Sequence, residues 1–165
     1  MAPPFLSVII PAFNEEGRIE ESLRRLAAHL SGKAYTWEVV VVDDGSTDGT
    51  AATVQSAAED VDAVRLLARE HRGKGWAVRA GMLESEAEWR FLCDADLSMP
   101  PEQIDRFLPD DGPPPEDIVI GSREAPGSRR IGEPAGRHLS GRLFTATVKL
   151  LAFRGIEDTQ CGFKL

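Results

Sequence analysis

The segment Arg90-Phe91-Leu92-Cys93-Asp94-Ala95-Asp96 sets a short apolar run directly before two carboxylates. The run is too short and ends too sharply to be typical of a helix, so it predicts a buried strand over 88–93. Ligands of open α/β sheets bind beyond the carboxyl ends of strands, where Asp94 and Asp96 fall. Side chains two positions apart share one face of an extended chain, so we expect both carboxylates to face one ligand.

A cation is the expected ligand of this acidic pair. Two buried carboxylates without partners would repel each other and lose their hydration, at a cost of roughly several kcal/mol. Their hard oxygen atoms suit Mg²⁺ or Mn²⁺, and Mg²⁺ usually completes its shell with water and substrate phosphate oxygens. The segment therefore predicts a metal–diphosphate site at Asp94 and Asp96. A solvated acidic turn beside a helix N-cap is the alternative for this pattern taken alone.

Length and composition indicate one soluble globular domain. The chain has 165 residues, of which 42% are hydrophobic and 28% are charged. The net charge of −8 argues against a nucleic-acid partner. Residues 121–165 nevertheless carry eight basic and four acidic side chains, a balance of +4 that leaves −12 for residues 1–120. This basic end suggests an anionic partner, either a phosphate or a lipid surface, although a solvated charged face explains the same count.

Cysteine usage and the absence of long apolar runs indicate where the chain works. Cys93 and Cys161 form neither a disulfide framework nor a metal cluster, and Cys93 in an apolar run is typical of a small core residue. Residues 1–7 do not resemble a signal peptide, and no apolar run approaches the roughly 18 residues of a membrane span. We therefore expect a cytoplasmic protein that contacts a membrane only from its cytoplasmic face.

Hydrophobic runs and helical stripes alternate along the chain. The uninterrupted valines of Trp37–Val42 predict a strand covered on both faces, and hence a parallel sheet between helices. Asn14 is the expected N-cap of the first helix, which ends at Leu30. The predicted strands span 6–11, 37–42, 63–68, 88–93 and 118–120, and the later predicted helices span 50–58, 76–85, 99–108 and 137–153. This alternation predicts a single three-layer α/β domain over 1–165 with no internal boundary.

Two further strand ends carry polar side chains. Asp43 and Asp44 follow the valine strand and precede a turn with Gly45 and Gly49, which allow the backbone to approach a ligand closely. The third strand leads into a basic, glycine-rich loop over 69–75, where Lys74 can reach a phosphate or an acidic partner. Neither loop matches a Walker loop or a Gly-x-Gly-x-x-Gly fingerprint.

Four motifs in this order resemble those of family-2 glycosyltransferases with a GT-A fold. They read SVIIPAFNE at 7–15, VVDDGSTDGT at 41–50, GKGWAVRAG at 73–81 and DAD at 94–96. Within that family, GSR at 121–123 and DTQCGFK at 158–164 are similar to the dolichyl-phosphate β-glucosyltransferase and polyprenyl-phosphate branch. The chain stops within the last of these motifs, so we expect it to lack the C-terminal part of the family domain.

The resemblance implies roles for individual residues. Pro11, Ala12, Asn14 and Glu15 would line the nucleotide pocket, and Asp43 or Asp44 would accept hydrogen bonds from the base or the ribose. Asp94 would contact the ribose or the sugar, and Asp96 would ligate Mg²⁺ or Mn²⁺ on the diphosphate. Lys74 and Arg123 are further candidates for donor binding. Ser98 stands where relatives often have Gln or Gly, so a third metal ligand is not implied.

The implied reaction is an inverting transfer of glucose or mannose from a nucleoside-diphosphate sugar to a polyprenyl or dolichyl phosphate. A lipid phosphate is already anionic, so it needs positive charge rather than a general base to hold it. The candidates lie in the basic end of the chain: Arg123, Arg129, Arg130 and Arg137. If the acceptor is instead the hydroxyl of a polysaccharide or a glycolipid, Asp158 is the candidate base, although it equally suits a structural ion pair.

Two classes of protein compete with this interpretation. A receiver-type signalling module also places acids at strand ends, but its acidic pair usually follows the first strand, whereas the acidic pairs here follow the second and fourth. A non-catalytic nucleotide-sugar-binding protein of the same fold shares most of the residues named above. Product formation on a polyprenyl phosphate separates an enzyme from such a binder. The oligomeric state and the nucleotide base are left open.

Overall fold

The computed structural model describes residues 2–109, 112, 114–122 and 162–165. The strands are β1 (Leu6–Ala12), β2 (Trp37–Asp44), β3 (Val64–Arg69) and β4 (Trp89–Leu92), and the helices are α1 (Glu16–Leu30), α2 (Thr50–Asp60) and α3 (Lys74–Glu84). A short 3₁₀ helix, Pro101–Arg106, follows β4. The predicted alternation of strands and helices is confirmed over these elements.

The four strands form one parallel sheet in the order β3-β2-β1-β4. The chain moves outward through β1, β2 and β3, and then returns to pair β4 with β1. Right-handed crossovers therefore place α1 and α2 on one face of the sheet and α3 on the other, which gives three layers. The chain adds β2 and β3 on one side of β1 and then adds β4 on the other side. The carboxyl ends of β1 and β4 therefore form the crevice where α/β folds bind ligands.

The core is built from the patterns that predict it. Val39–Val42 are fully buried, as expected for a strand covered on both faces. The predicted stripe of α1, Ile19, Leu23, Leu26 and Leu30, is buried as well. On the opposite face, α3 approaches the sheet so closely at Gly81 that a Cβ there would collide with side-chain methyls of Ile9 and Val42.

Four predictions near the strand ends are wrong. Asn14 is not the N-cap of α1, because it has a φ of 55° and the helix begins after Glu15 without a side-chain cap. Asp43 and Asp44 do not follow β2 but are its last two residues, and they continue the pairing with β3. Lys74 is the first residue of α3 rather than part of a loop. The predicted helix at 99–108 is instead the shorter 3₁₀ helix.

The last described segments pair by isolated backbone contacts. Residues 118–120 form no named strand, although Val119 exchanges two backbone hydrogen bonds of 2.9 Å with Leu165. Leu92 at the end of β4 donates to the carbonyl of Lys164 at 2.7 Å. These hydrogen bonds are isolated contacts beside β4, an edge strand, and they add no further strand to the sheet in the part of the chain that the structure describes.

The chain divides into two compact units, one of residues 1–119 with 163–165 and one of residues 120–162. In the second unit the structure describes only 120–122 and 162. The predicted helix at 137–153, Arg123, Asp158 and Cys161 lie outside the described residues, so their roles stay predictions, as does a single domain over 1–165. Among the residues described, no helix is long and apolar enough to cross a membrane.

Candidate functional site

A cavity of about 340 Å³ opens at the carboxyl ends of β1, β2 and β4, and we call it the strand-end cavity. Its volume falls within the range of small-molecule sites. Seven of the predicted residues line it: Pro11, Ala12, Glu15, Asp44, Lys74, Asp94 and Asp96. The other lining residues are Phe13, His71, Ala77 and Ala95. The sheet thus brings together side chains that are more than 80 positions apart in the sequence.

Asn14 does not line this cavity and instead joins two of its loops. Its backbone N–H donates to the Ser46 hydroxyl at 2.9 Å, and its side-chain oxygen accepts from the Thr47 N–H at 2.8 Å. In the same way, the Glu15 N–H donates to the Thr50 hydroxyl at 2.8 Å. The left-handed backbone of Asn14 serves this bridge, since asparagine tolerates that conformation better than most residues. The β1–α1 loop is therefore braced against the β2–α2 loop.

The carboxylate of Asp44 anchors the glycine-rich segment before α3. Asp44 is only 2% exposed, and its two oxygens accept from the N–H groups of Arg72 at 2.9 Å and Gly73 at 2.8 Å. His71 Nδ1 lies 2.9 Å from both a carboxylate oxygen and the carbonyl oxygen of Asp44. Because both partners are acceptors, Nδ1 carries the proton. The charge of Asp44 is thus balanced by donors of the protein itself.

Asp43 is also buried, but it does not line the strand-end cavity. Its Oδ1 accepts from the hydroxyl and from the N–H of Ser46. This local bond fixes the turn that starts the β2–α2 loop. A direct contact of Asp43 with a base or ribose remains a prediction.

The side chains of Lys74 and Asp94 form an ion pair in the wall of the strand-end cavity. Lys74 Nζ lies 2.6 Å from Asp94 Oδ1, with 62% of the lysine side chain and 25% of the aspartate side chain exposed. This position follows from the start of α3 at Lys74, which directs the ammonium group toward the end of β4. A partly exposed pair of this kind contributes about 1 kcal/mol or less to stability, so a stronger ligand can displace it.

Asp94 and Asp96 lie on a tight turn, not on an extended strand as the sequence pattern suggested. The Leu97 N–H donates to the Asp94 carbonyl at 3.1 Å, and Leu97 has a φ of 45°. Asp96 is exposed, and its Oδ1 accepts from the Ser98 N–H at 2.9 Å. The expectation of two buried carboxylates without partners is therefore wrong. Both nevertheless line the same cavity because the turn directs them there.

Helix α1 contacts the acidic turn, and the residues at and beyond its end contact the 3₁₀ helix that follows. The hydroxyl of the buried Ser22 donates to the Ala95 carbonyl at 2.6 Å. At the end of α1, His29 Nε2 lies 2.9 Å from Asp105 Oδ1, and Lys33 Nζ, just beyond the helix, lies 2.7 Å from the same oxygen. Partial burial opposes ionisation of Asp105, but the hydrogen bonds from Lys33 and His29 outweigh it and lower the pKa of Asp105. The acidic turn is therefore bonded to α1 through Ser22, and the 3₁₀ helix is bonded to the end of α1 through Asp105.

Aromatic side chains form a second set of contacts at the cavity. The rings of Phe13 and His71 lie 4.2 Å apart between centroids, and Phe13 is 42% exposed. Trp76 on α3 does not line the cavity, and its ring lies 5.0 Å from the guanidinium of Arg72 and 5.5 Å from that of Arg79. Sequence reasoning missed Phe13 and His71 as lining residues. Phe13 stands between the predicted Ala12 and Asn14, so its position in the first motif was the available signal.

The donor atoms at the acidic turn fit a hard divalent cation. Within the described ranges, no group of three or more His, Cys, Asp or Glu side chains is arranged to hold a metal. Mg²⁺ requires fewer, since one or two carboxylates suffice when a bound phosphate completes its shell.

Burial, together with the negative charges of Asp94 and Asp96, raises the pKa of the Cys93 thiol. Cys93 is buried and unpaired with another cysteine, so its prediction as a core residue is confirmed.

Comparison with protein families and curated proteins gives consistent matches. The family model of "Glycosyl transferase family 2" matches residues 7–164. A dolichyl-phosphate beta-glucosyltransferase of Trichomonas vaginalis is 35% identical over 98% of this chain and 51% of its own length. The corresponding protein of Drosophila melanogaster is 38% identical over 97% of this chain and 53% of its own length. The chain thus spans about half the length of the curated relatives it matches.

A solved structure supports the fold. Glucosyl-3-phosphoglycerate synthase from Mycobacterium tuberculosis, solved in complex with UDP, superposes with a TM-score of 0.65 at 22% identity. The superposition covers 99% of this chain and 56% of the synthase. At this identity the likeness concerns the fold alone. Together with the parallel sheet and its two helical layers, it confirms the predicted GT-A fold.

Proposed function

This chain belongs to glycosyltransferase family 2, and from that membership we propose that it moves a sugar from a nucleoside-diphosphate sugar to a polyprenyl or dolichyl phosphate. The sugar is glucose or mannose, and the transfer inverts its anomeric centre. Relatives that bear the name dolichyl-phosphate beta-glucosyltransferase align with 97–99% of the chain, which supports this branch of the family.

The observation that carries the proposal is the division of the strand-end cavity into two sets of contacts. One set joins Lys74 to Asp94, beside Asp96, and the other joins the rings of Phe13 and His71 to Asp44. A nucleoside diphosphate likewise combines a charged diphosphate with a flat aromatic base. We assign the diphosphate to the charged set and the base to the aromatic set, with Pro11, Ala12 and Glu15 completing the wall.

Asp94 and Asp96 would hold Mg²⁺ or Mn²⁺ in the donor complex. When bound, such a cation stabilises the negative charge that develops on the leaving diphosphate. Lys74 adds a second positive charge beside the phosphates once it exchanges Asp94 for a phosphate oxygen. The protein itself then orients the donor, because the braced loops and the anchored glycine-rich segment fix the cavity wall before the donor arrives.

The acceptor belongs to the basic end of the chain in this proposal. A lipid phosphate needs no general base, so Arg123, Arg129, Arg130 and Arg137 are assigned to binding its charge. Asp158 takes the role of base only if the acceptor is a hydroxyl group. The reaction takes place at the cytoplasmic face of a membrane, where a polyprenyl phosphate presents its head group.

Ligand-induced stabilisation tests donor binding on this chain directly. The melting temperature is measured with UDP-glucose, GDP-mannose or no nucleotide, each with Mn²⁺ and with EDTA. A ligand at 100 times its Kd adds about 2.7 kcal/mol to the free energy of unfolding. One of the two donors should raise the melting temperature only when Mn²⁺ is present. The absence of a shift with either donor would overturn the proposal.

Turnover then separates an enzyme from a binder. Incubation with the stabilising donor, Mn²⁺ and a short polyprenyl phosphate should yield a lipid-linked sugar. Binding without product on any phosphate or hydroxyl acceptor would instead favour a non-catalytic nucleotide-sugar-binding protein.

A further inference from the structure

Ser22 is a polar residue in the buried stripe of α1, where it is 4% exposed among leucines. Its hydroxyl donates to the carbonyl oxygen of Ala95 at 2.6 Å, across a sequence separation of 73 residues. Ala95 is itself buried and stands between the two carboxylates of the acidic turn. One hydrogen bond therefore connects the interior of a helix to the centre of the Asp94–Asp96 segment.

A serine in a helix usually bonds to the carbonyl four residues earlier on its own helix. Ser31, at the end of α1, does so with the carbonyl of Ala27 at 2.7 Å. The hydroxyl of Ser22 points away from its own helix and reaches the turn instead. An apolar side chain would pack in the buried stripe better than serine does, so packing alone does not explain a hydroxyl at this position.

The acidic turn depends on such external support. Leu97 holds a left-handed backbone conformation, which costs a residue other than glycine on the order of 1 kcal/mol or more. A change in the backbone torsion angles on either side of the peptide between Ala95 and Asp96 would move the Asp96 carboxylate relative to Asp94. The hydroxyl of Ser22 holds the carbonyl of that peptide in place.

We infer that Ser22 is a positioning residue, which sets the relative placement of the Asp94 and Asp96 carboxylates for the cation of a bound nucleoside diphosphate. The inference rests on the proposed function, since it gives that site an unassigned support. Ser22 does not line the strand-end cavity and acts only through the backbone of the turn.

Three variants of the 165-residue chain test this role. Ser22→Ala removes the donor, Ser22→Thr keeps it, and Ser31→Ala removes a comparable serine hydroxyl from the same helix. For each variant, the Kd of UDP and of GDP is measured with Mn²⁺ and with EDTA. The ratio of the two values reports the metal-dependent gain in affinity.

We expect Ser22→Ala to reduce the metal-dependent gain about tenfold, the usual order for the loss of a group that orients a metal ligand. The affinity in EDTA should not change, and both Ser22→Thr and Ser31→Ala should retain the gain of the unmodified chain. An equal loss with Mn²⁺ and with EDTA would indicate a structural role only and would overturn the inference. If Ser22→Ala does not fold, Ser22→Cys replaces it with a weak donor of similar volume.

Hydrogen exchange of the backbone provides a readout that does not depend on nucleotide binding. Ser22→Ala should accelerate exchange at 94–98 without affecting β1 and β2, whereas Ser31→Ala should leave 94–98 unchanged. If the unmodified chain shows no metal-dependent gain, the proposed function fails, and the exchange experiment alone decides the support of the turn. Unchanged exchange at 94–98 in Ser22→Ala would then refute it.

Discussion

Two pairs of acidic residues lie at the carboxyl ends of β2 and β4, on either side of β1 in the same sheet, and they are used in opposite ways. Asp43 and Asp44 are buried at the end of β2, where hydrogen bonds from Ser46, Arg72 and Gly73 engage their oxygens. Asp94 and Asp96 are more exposed, and they lie on a turn that follows β4. The sequence presents both pairs as acids after a valine-rich or apolar run.

The difference shows that an acid at a strand end becomes available to a ligand only when the backbone around it supplies few donors. The segment after β2 folds back over its carboxylates, and the glycine-rich segment before α3 covers Asp44 from the other side. After β4 the chain turns away into the 3₁₀ helix, so Asp96 keeps much of its hydration. Structural support and ligand binding are thus divided between the two pairs.

Asp96→Asn should have the largest effect on function. The substitution removes a negative charge at the cation site but keeps the oxygen that accepts from Ser98, so sugar transfer should fall about 100- to 1000-fold. The melting temperature without ligand should stay unchanged, because Asp96 is exposed. Initial rates with Mn²⁺ measure the effect. Normal turnover in this variant would remove Asp96 from the metal site.

Asp44→Asn, the same substitution at the other pair, should act on stability instead. Its amide group would direct a donor at one of two backbone N–H groups, so the free energy of unfolding should fall by about 2–3 kcal/mol. Urea denaturation measures the loss. A stability equal to that of Asp96→Asn would erase the distinction between the two pairs.

Gly45→Ala sharpens the account of how Asp44 is covered. Gly45 has a φ of 72°, and a Cβ there would lie 2.8 Å from the backbone nitrogen of His71. We expect a loss of about 1–3 kcal/mol in the free energy of unfolding from strain and displacement of the glycine-rich segment. Gly75→Ala is the matched control, because a Cβ there meets no atom within 4 Å. An equal loss in both variants would contradict this assignment.

Asp105→Asn should produce the smallest effect, one confined to the contacts between the 3₁₀ helix and the end of α1. Partial burial opposes ionisation of Asp105, but hydrogen bonds from Lys33 and His29 lower its pKa in the folded chain, so its ionised form stabilises the fold above the ordinary aspartate pKa of about 3.8. That contribution is lost as the pH falls further. The melting temperature of the unmodified chain should exceed that of the variant at pH 6, and the difference should shrink as the pH falls below 3.8. A difference that stays constant as the pH falls would exclude a stabilising role of these Asp105 contacts.

The sequence predicts the sheet well because its evidence is local. The valines of β2, the stripe of α1 and the motif order suffice for a parallel α/β fold, and they place seven of the predicted residues around one cavity. What it cannot provide is how loops hold one another. No local sequence pattern around Asn14 predicts that its side chain bonds to Thr47. Likewise, none around Asp44 predicts that its oxygens accept hydrogen bonds from Arg72 and Gly73. These contacts join segments about 30 positions apart, so local patterns do not contain them.

The same limit explains the error at the acidic turn. Alternation of side chains is a property of extended backbone, and the chain leaves that geometry after Leu92. The left-handed backbone conformation at position 97 is typical of glycine or asparagine, so a leucine there does not predict it. Only the packing of the turn against α1 reveals why the backbone accepts this conformation.

The uniform direction of the strands has a practical consequence for handling the molecule. Helices α1, α2 and α3 return the chain to the edge of the sheet formed by the amino ends of its strands, which is remote from the cavity. Asp62, exposed in the short connection from α2 to β3, lies at that edge. A fluorophore or a surface tether attached there through a cysteine would leave the mouth of the cavity open, so single molecules could be immobilised in one orientation while they exchange nucleotides.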